Sequence, residues 1–234
     1  MSQCANMSVR GLLYLLMGSA IFPAFTLLAV SVYHQYQSDE RAAAAAAHDL
    51  AQLAADNVQS VLADSRNVLS KIAARPDVRS GSEGHCAVVF QEFKDLYPQF
   101  SNLSQSSPGG YIVCSTTAQN TPTYVGDAQW FKQVFAGKSF IVAPPYLGPV
   151  TKRVVAVLAH PVVNQAGDMV GSVQMPIDLA RFRVIPGGEK LPESTVITIF
   201  NTEGVLIARS RDAENFVGKN FSGTAAVELF LRQR

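Results

Sequence analysis

From Gly11 to Tyr33 the chain carries no charge over 23 residues, and Pro23 is the only helix breaker besides two glycines. At about 1.5 Å per residue, a helix of that length crosses a hydrocarbon core of about 30 Å with some tilt. Membrane helices tolerate a proline in mid-run. Arg10 precedes the run, and Asp39 and Glu40 follow it. The positive-inside rule therefore puts residues 1–10 in the cytoplasm and everything after about residue 34 outside. A cleaved signal peptide, with Ala29 and Ser31 as its small-residue site, is the competing reading. Its apolar stretch is normally only about 7–15 residues. Both readings export the remainder.

The next pattern predicts one long amphipathic helix over residues 38–75. Six consecutive alanines, Ala42 to Ala47, give strong helix propensity. Beyond them Leu50, Ala54, Val58, Val61, Ser65 and Val68 recur at spacings of four and three, and Leu53, Leu62 and Leu69 widen the stripe. Pro76 ends it. Such a stripe is a seam either against the chain's own domain or against a parallel second copy.

From Val78 the pattern becomes mixed. A short helix is predicted from His85 to Leu96, and Ser107-Pro108-Gly109-Gly110 makes a hairpin turn into the strand Tyr111–Ser115. Trp130 to Ala136 predicts a helix stopped by Gly137, followed by an apolar segment at 139–143. Arg153 to Val163 is a long strand, turned by Asn164 to Asp168 into a second at 169–179. A further hairpin joins 194–200 to 204–210 through Asn201 to Gly204, and an apolar helix opens at Ala225. The expected class is α+β with a central antiparallel sheet. The 41 residues from Ser194 to Arg234 are too few for a core of their own, so they are expected to be part of an incomplete second unit.

Composition narrows the function. Nineteen Lys and Arg against eighteen Asp and Glu leave a net charge of +1, with no excess to neutralise phosphates, so nucleic-acid binding is excluded as a general role. With 48% apolar residues the chain is not disordered. Export places Cys86 and Cys114 in an oxidising compartment, where two thiols are expected to pair, while Cys4 stays behind. A metal site on Cys86, Cys114, His85 and His160 is the alternative, and it lacks any short paired spacing.

No phosphate loop, H-E-x-x-H or G-x-S-x-G is present, Gly187-Gly188-Glu189 reads as a turn, and no metal or cofactor is expected. The informative segment is 123–178. It holds the only tryptophan, Trp130, beside Phe131; then Tyr146 after a Pro-Pro pair, Arg153 opening the long strand and Asp178 closing the last one. Aromatic walls with one or two ionic groups suit a small-ligand pocket. The alternative is that Trp130 and Phe131 are core, and that Arg153 and Asp178 face solvent.

In order and spacing, residues 38–234 resemble the double Cache extracellular sensor of bacterial transmembrane receptors. The motifs that carry the resemblance begin with the long helix and a Cys before P-x-[FY]-x-N. They continue with P-G-G-Y-I-V-C-S, G-D-A-Q-W-F and the strand pair R-V-V-A-V-L-A-H-P-V / G-D-M-V-G-S-V-Q-M-P-I-D-L. STVITIFNTEGVLIARS and FVGKNF close the series. The resemblance implies two PAS-like units on the helix. The distal one, 78–183, would bind ligand, and the proximal one, 194–234, would be incomplete. It also implies that the two exported cysteines are bridged. In amino-acid-binding members a Tyr, an Arg two residues before the Trp, a Trp-Tyr pair, a later Tyr and a strand-end Asp hold the ligand. Trp130, Tyr146 and Asp178 fall at similar places, Phe131 replaces the Tyr, and Ala128 stands at the Arg position. Without that guanidinium nothing grips an α-carboxylate bidentately; Arg153 would offer a cation from another direction, suited to an organic acid.

The expectation is a non-enzymatic, periplasmic input domain anchored by one crossing in the inner (cytoplasmic) membrane and dimerising through its long helix. Its ligand would be an organic acid, an amine or an amino acid. Receptors it resembles end in a histidine kinase, a diguanylate cyclase or a chemotaxis rod. A pilin-like exported subunit is the first rival, although Gly11 to Tyr33 lacks the usual Glu. An exported hydrolase using a Ser, His160 and an Asp is the second.

Overall fold

The computed structural model describes residues 9–80, 90, 92–93, 97, 100–117, 121–185, 191–192 and 194–232. The chain divides into two compact units, Met1–Gln52 and Leu53–Arg234.

Helix α1, Val9–Ala73, is 65 residues long. The apolar run and the amphipathic stripe, predicted as separate elements, are one continuous helix. Between them His34 to Gln37 contain no breaker. At Pro23, which removes one ladder donor, the Thr26 hydroxyl donates to the carbonyls of Phe22 (3.0 Å) and Pro23 (2.9 Å). In the first unit Phe22, Phe25 and Leu27 are exposed. This part of α1 is long and apolar enough to cross a membrane.

In the second unit the last turns of α1 lead to the short α2, Pro76–Arg79, and then to a six-stranded antiparallel sheet. Its strands are β1 Ser104–Ser106, β2 Ile112–Ser115, β3 Ile141–Val142, β4 Tyr146–Leu147, β5 Val154–Val163 and β6 Met169–Asp178. The order is β2-β1-β6-β5-β3, with β4 also pairing with β5. Helix α3, Gln129–Phe135, falls between β2 and β3. The predicted helix at 85–96 lies largely outside the described residues; Phe90, Glu92 and Phe93 are helical.

The β5–β6 hairpin sets two faces by its period of two. Register runs from Val155 opposite Asp178 to Val163 opposite Met169. One face, with Ala156, Leu158, Val173 and Met175, packs against Leu69 and Ile72 of α1. The other carries Val155, Val157 and Ala159 against Trp130, Phe131 and Val134 of α3. Gln174, Pro176 and Asp178 share that second face by pairing with those valines and alanine.

Strand β1 has no apolar side chain, yet all three of its residues are buried. It is central because its polar groups are satisfied. Gln105 Nε2 donates to the Val78 carbonyl at 2.9 Å, and the Ser106 and Ser172 hydroxyls pair at 2.7 Å. Gly110, with φ +82°, makes the β1–β2 turn, and an added Cβ would lie 2.7 Å from Gly126 Cα.

The last segment forms a two-stranded sheet, β7 Thr198–Phe200 with β8 Leu206–Arg209, followed by α4 Ala213–Phe216 and α5 Ala225–Arg232. Leu206 and Val217 enter the main core, and Ala208 packs with Ala54 of α1 and Val184. Asn57 Nδ2 donates to the carbonyls of Arg183 (2.9 Å) and Val184 (3.1 Å), tying the connector to the helix.

Candidate functional site: a small cavity behind Trp130

Helix α3 begins abruptly after Ala128, whose backbone is extended, and buries Trp130, Phe131 and Val134 on one side. Phe131 stacks on Phe135 at 4.4 Å and meets Trp130 edge-on at 5.9 Å, which fixes the indole. Trp130 Nε1 then donates to the Tyr146 hydroxyl at 3.1 Å. Burial raises the Tyr146 pKa above the ordinary phenol value, and the Trp130 hydrogen bond opposes that shift. The phenol therefore keeps its proton at neutral pH and can donate it.

Behind these two rings lies a cavity of about 30 Å³. Its floor is the second face of the sheet, Val155, Val157, Gln174 and Pro176, and its roof is the β4–β5 turn, Gly148 to Thr151. The turn is tight. Gly148 N donates to the Arg153 carbonyl at 2.8 Å and Lys152 N to the Gly148 carbonyl at 2.9 Å, with Lys152 at φ 55°. A Cβ on Gly148 would lie 2.8 Å from Thr151 Oγ1 and 3.1 Å from Val155 Cγ2. Asn102, at the far end, is held by the Ser115 and Thr116 hydroxyls and the Thr117 amide at 3.0, 2.7 and 3.2 Å. None of the described residues lining the cavity is charged.

Two polar atoms here have no hydrogen-bond partner, Thr151 Oγ1 and Gln174 Nε2. Gln174 is only 3% exposed. Buried donors in proteins are almost always satisfied, so this pair marks the cavity as a place where something polar belongs.

The structure brings Trp130 and Tyr146 together in the cavity wall. Phe131 sits behind them in the core. Arg153 and Asp178 pair with each other instead of lining the cavity: Arg153 Nη1 lies 2.6 Å from Asp178 Oδ2, Arg181 Nε lies 3.8 Å from it, and the Ala180 amide donates to Oδ1 at 3.2 Å. That carboxylate is at the edge of the site, directly across from the lining Val155. Gln174 and Thr151 were not singled out by the sequence reading. The available signal was one amide between Val173 and Met175 in a mostly apolar strand.

Cys114 is buried in the core on the α1 side; Cys86 and His85 lie outside the described residues. His160 is half-buried on β5, with Nδ1 donating to the Pro161 carbonyl at 2.8 Å. Burial lowers its pKa, Arg66 lowers it further, and the carbonyl bond opposes both. A wider cleft of about 820 Å³ lies beside Arg181, Arg183, Arg209 and Arg211. Asp212 and Glu214 also line it.

No protein-family model matches the chain, and no curated protein matches it. Solved structures do. The extracellular domain assigned to the histidine kinase rpHK1S-Z16 superposes with a TM-score of 0.63 at 16% identity, covering 80% of this chain and 76% of that one. The ligand-binding domain of the Pseudomonas fluorescens chemoreceptor CtaA, in complex with L-serine, gives 0.59 at 14%, covering 75% and 74%. That of the Campylobacter jejuni chemoreceptor Tlp3, in complex with 4-methylisoleucine, gives 0.53 at 14%, covering 70% and 68%. The second unit thus has the α+β fold of Cache-type extracellular sensor domains.

Proposed function

We propose that this chain is the input domain of a membrane-bound receptor and binds a small molecule outside the cytoplasmic membrane without turning it over. The observation that carries the reading is the cavity walled by Trp130 and Tyr146 and lined by two unpartnered polar atoms, in a fold shared with receptor ligand-binding domains. Trp130 and Tyr146 are the proposed contacts, Phe131 holds the indole, and Arg153 with Asp178 closes the sheet edge. CtaA and Tlp3 suggest an amino acid, and the sequence adds organic acids and amines. The capture of Asp178 by Arg153 argues against an ammonium there.

The rest of the architecture follows as part of the same proposal. Residues 11–33 anchor the chain in the inner membrane with 1–10 in the cytoplasm, and the sensor lies in the periplasm. The stem at 38–75 carries a distal unit at 78–183 and a partial proximal unit at 194–234, pairs with a second copy, and the Cys86–Cys114 bridge braces the distal unit. Ligand acts by population shift, favouring one placement of the sheet on the stem. A tenfold change in signal needs about 1.4 kcal/mol of differential affinity.

The test is a thermal-shift screen of the full chain in detergent against amino acids, organic acids, amines and small neutral solutes. One chemical class should raise the melting temperature, and Trp130→Ala should abolish the rise while leaving the fold intact. Hydrolysis of an ester probe without any stabilisation would favour the hydrolase instead.

A further inference from the structure

We infer that the cavity recognises an uncharged molecule of a few heavy atoms through a hydrogen-bond acceptor, and that Gln174 and Thr151 are the side chains that read it. This rests on the reading of the cavity as the ligand site and specifies its chemistry. A short amide is the simplest member of the class.

Three residues with a hydrogen-bond donor line the cavity. Gln174 accepts the Ser172 hydroxyl on Oε1 at 3.3 Å, which leaves Nε2 unpaired. Thr151 Oγ1 is buried and unpaired. Tyr146 accepts the indole N–H and has its own proton to give. A ligand with an acceptor oxygen satisfies these groups; a purely apolar one does not.

Charge separates the remaining classes. No described lining residue is ionic, so a carboxylate or ammonium would enter without a counter-charge, which is unfavourable among these largely apolar walls. Arg153 and Arg181 both sit on Asp178, outside the described lining. An amino acid in the cavity would therefore meet no lining cation for its carboxylate and no lining anion for its ammonium. Size limits the ligand to a few heavy atoms: about 30 Å³ is about a tenth of the smallest pockets typical of drug-sized ligands.

The experiment compares acetamide, acetate, ethylamine and L-alanine at equal concentrations. Trp130, the only tryptophan, reports through its emission in the full chain in detergent, and melting temperature is the second readout. Acetamide should give a saturable change and raise the melting temperature, and the other three should not. Gln174→Met should weaken acetamide about tenfold; because it also removes the Oε1 acceptor of the Ser172 hydroxyl, its melting temperature without ligand is read alongside as the folding control. Thr151→Val should weaken binding in the same direction, and it decides the matter if Gln174→Met fails to fold. An unchanged acetamide affinity in a folded variant would overturn the role of that residue. Binding of acetate, ethylamine or L-alanine at least as tight as acetamide, and lost in Trp130→Ala, would overturn the neutral-ligand inference but keep the sensor reading. If none of the four binds, the neutral-ligand inference falls, and the wider thermal-shift screen alone decides the sensor reading.

Discussion

Tyr146 shows how one atom can serve both the fold and the site. Its oxygen accepts from Trp130 Nε1 at 3.1 Å, and burial keeps its proton on. Tyr146→Phe strands the indole donor in the interior and should cost about 1–3 kcal/mol in urea denaturation, together with part of the ligand response. His160 gives a pH dependence with a definite sign. Its folded pKa lies below the ordinary 6.5, so near and below that value the unfolded chain binds more protons. The contribution is full above about pH 6.5 and is lost as pH falls through the lower folded value. Denaturation curves from pH 7.5 to 5 should therefore show stability falling with acid, less steeply in His160→Gln; identical slopes in the two proteins would refute this.

At the scale of elements, the β5–β6 hairpin matters most because it is the partition between two cores. Leu158 is fully buried on the helix side, and Leu158→Ala should destabilise by about 2–5 kcal/mol through lost contacts and a cavity. It should do so without altering the emission of Trp130, which lies across the sheet. Ala54 is a close-contact point between α1, Val184 and Ala208. Ala54→Leu should cost about 1–3 kcal/mol by overpacking, measurable by thermal melting. The long elements were legible because their apolar periods are strong: the stem, the two ten-residue strands and α3. Strand β1 was not, since Ser104, Gln105 and Ser106 acquire their place only from partners far along the chain.

For the whole molecule, anchoring and export make two statements. The exported part should react with an impermeant reagent once the outer barrier is opened, and protection under that condition would reverse the proposed topology. Cys86 and Cys114 should migrate as a bridged pair in non-reducing peptide mapping. A bridge closing that loop is worth about 3–4 kcal/mol on the chain-entropy model, so reduction should lower the melting temperature of the full chain.

The amino-acid sequence alone determined the apolar run, the stem, the α+β class and the resemblance to a sensor family. Each of these is written in local periodicity or in motif order, and neither needs distant partners to be read. It also picked out Trp130 and Tyr146, because aromatic residues near turns stand out by type. Only the tertiary structure decided that Arg153 and Asp178 bind each other, since that depends on two strand ends meeting across a hairpin. It alone placed Gln174 and Thr151 against the same cavity. One is a strand amide and the other a turn hydroxyl, 23 positions apart in the chain, and hydrogen-bond satisfaction is a property of the folded surroundings rather than of a residue's name.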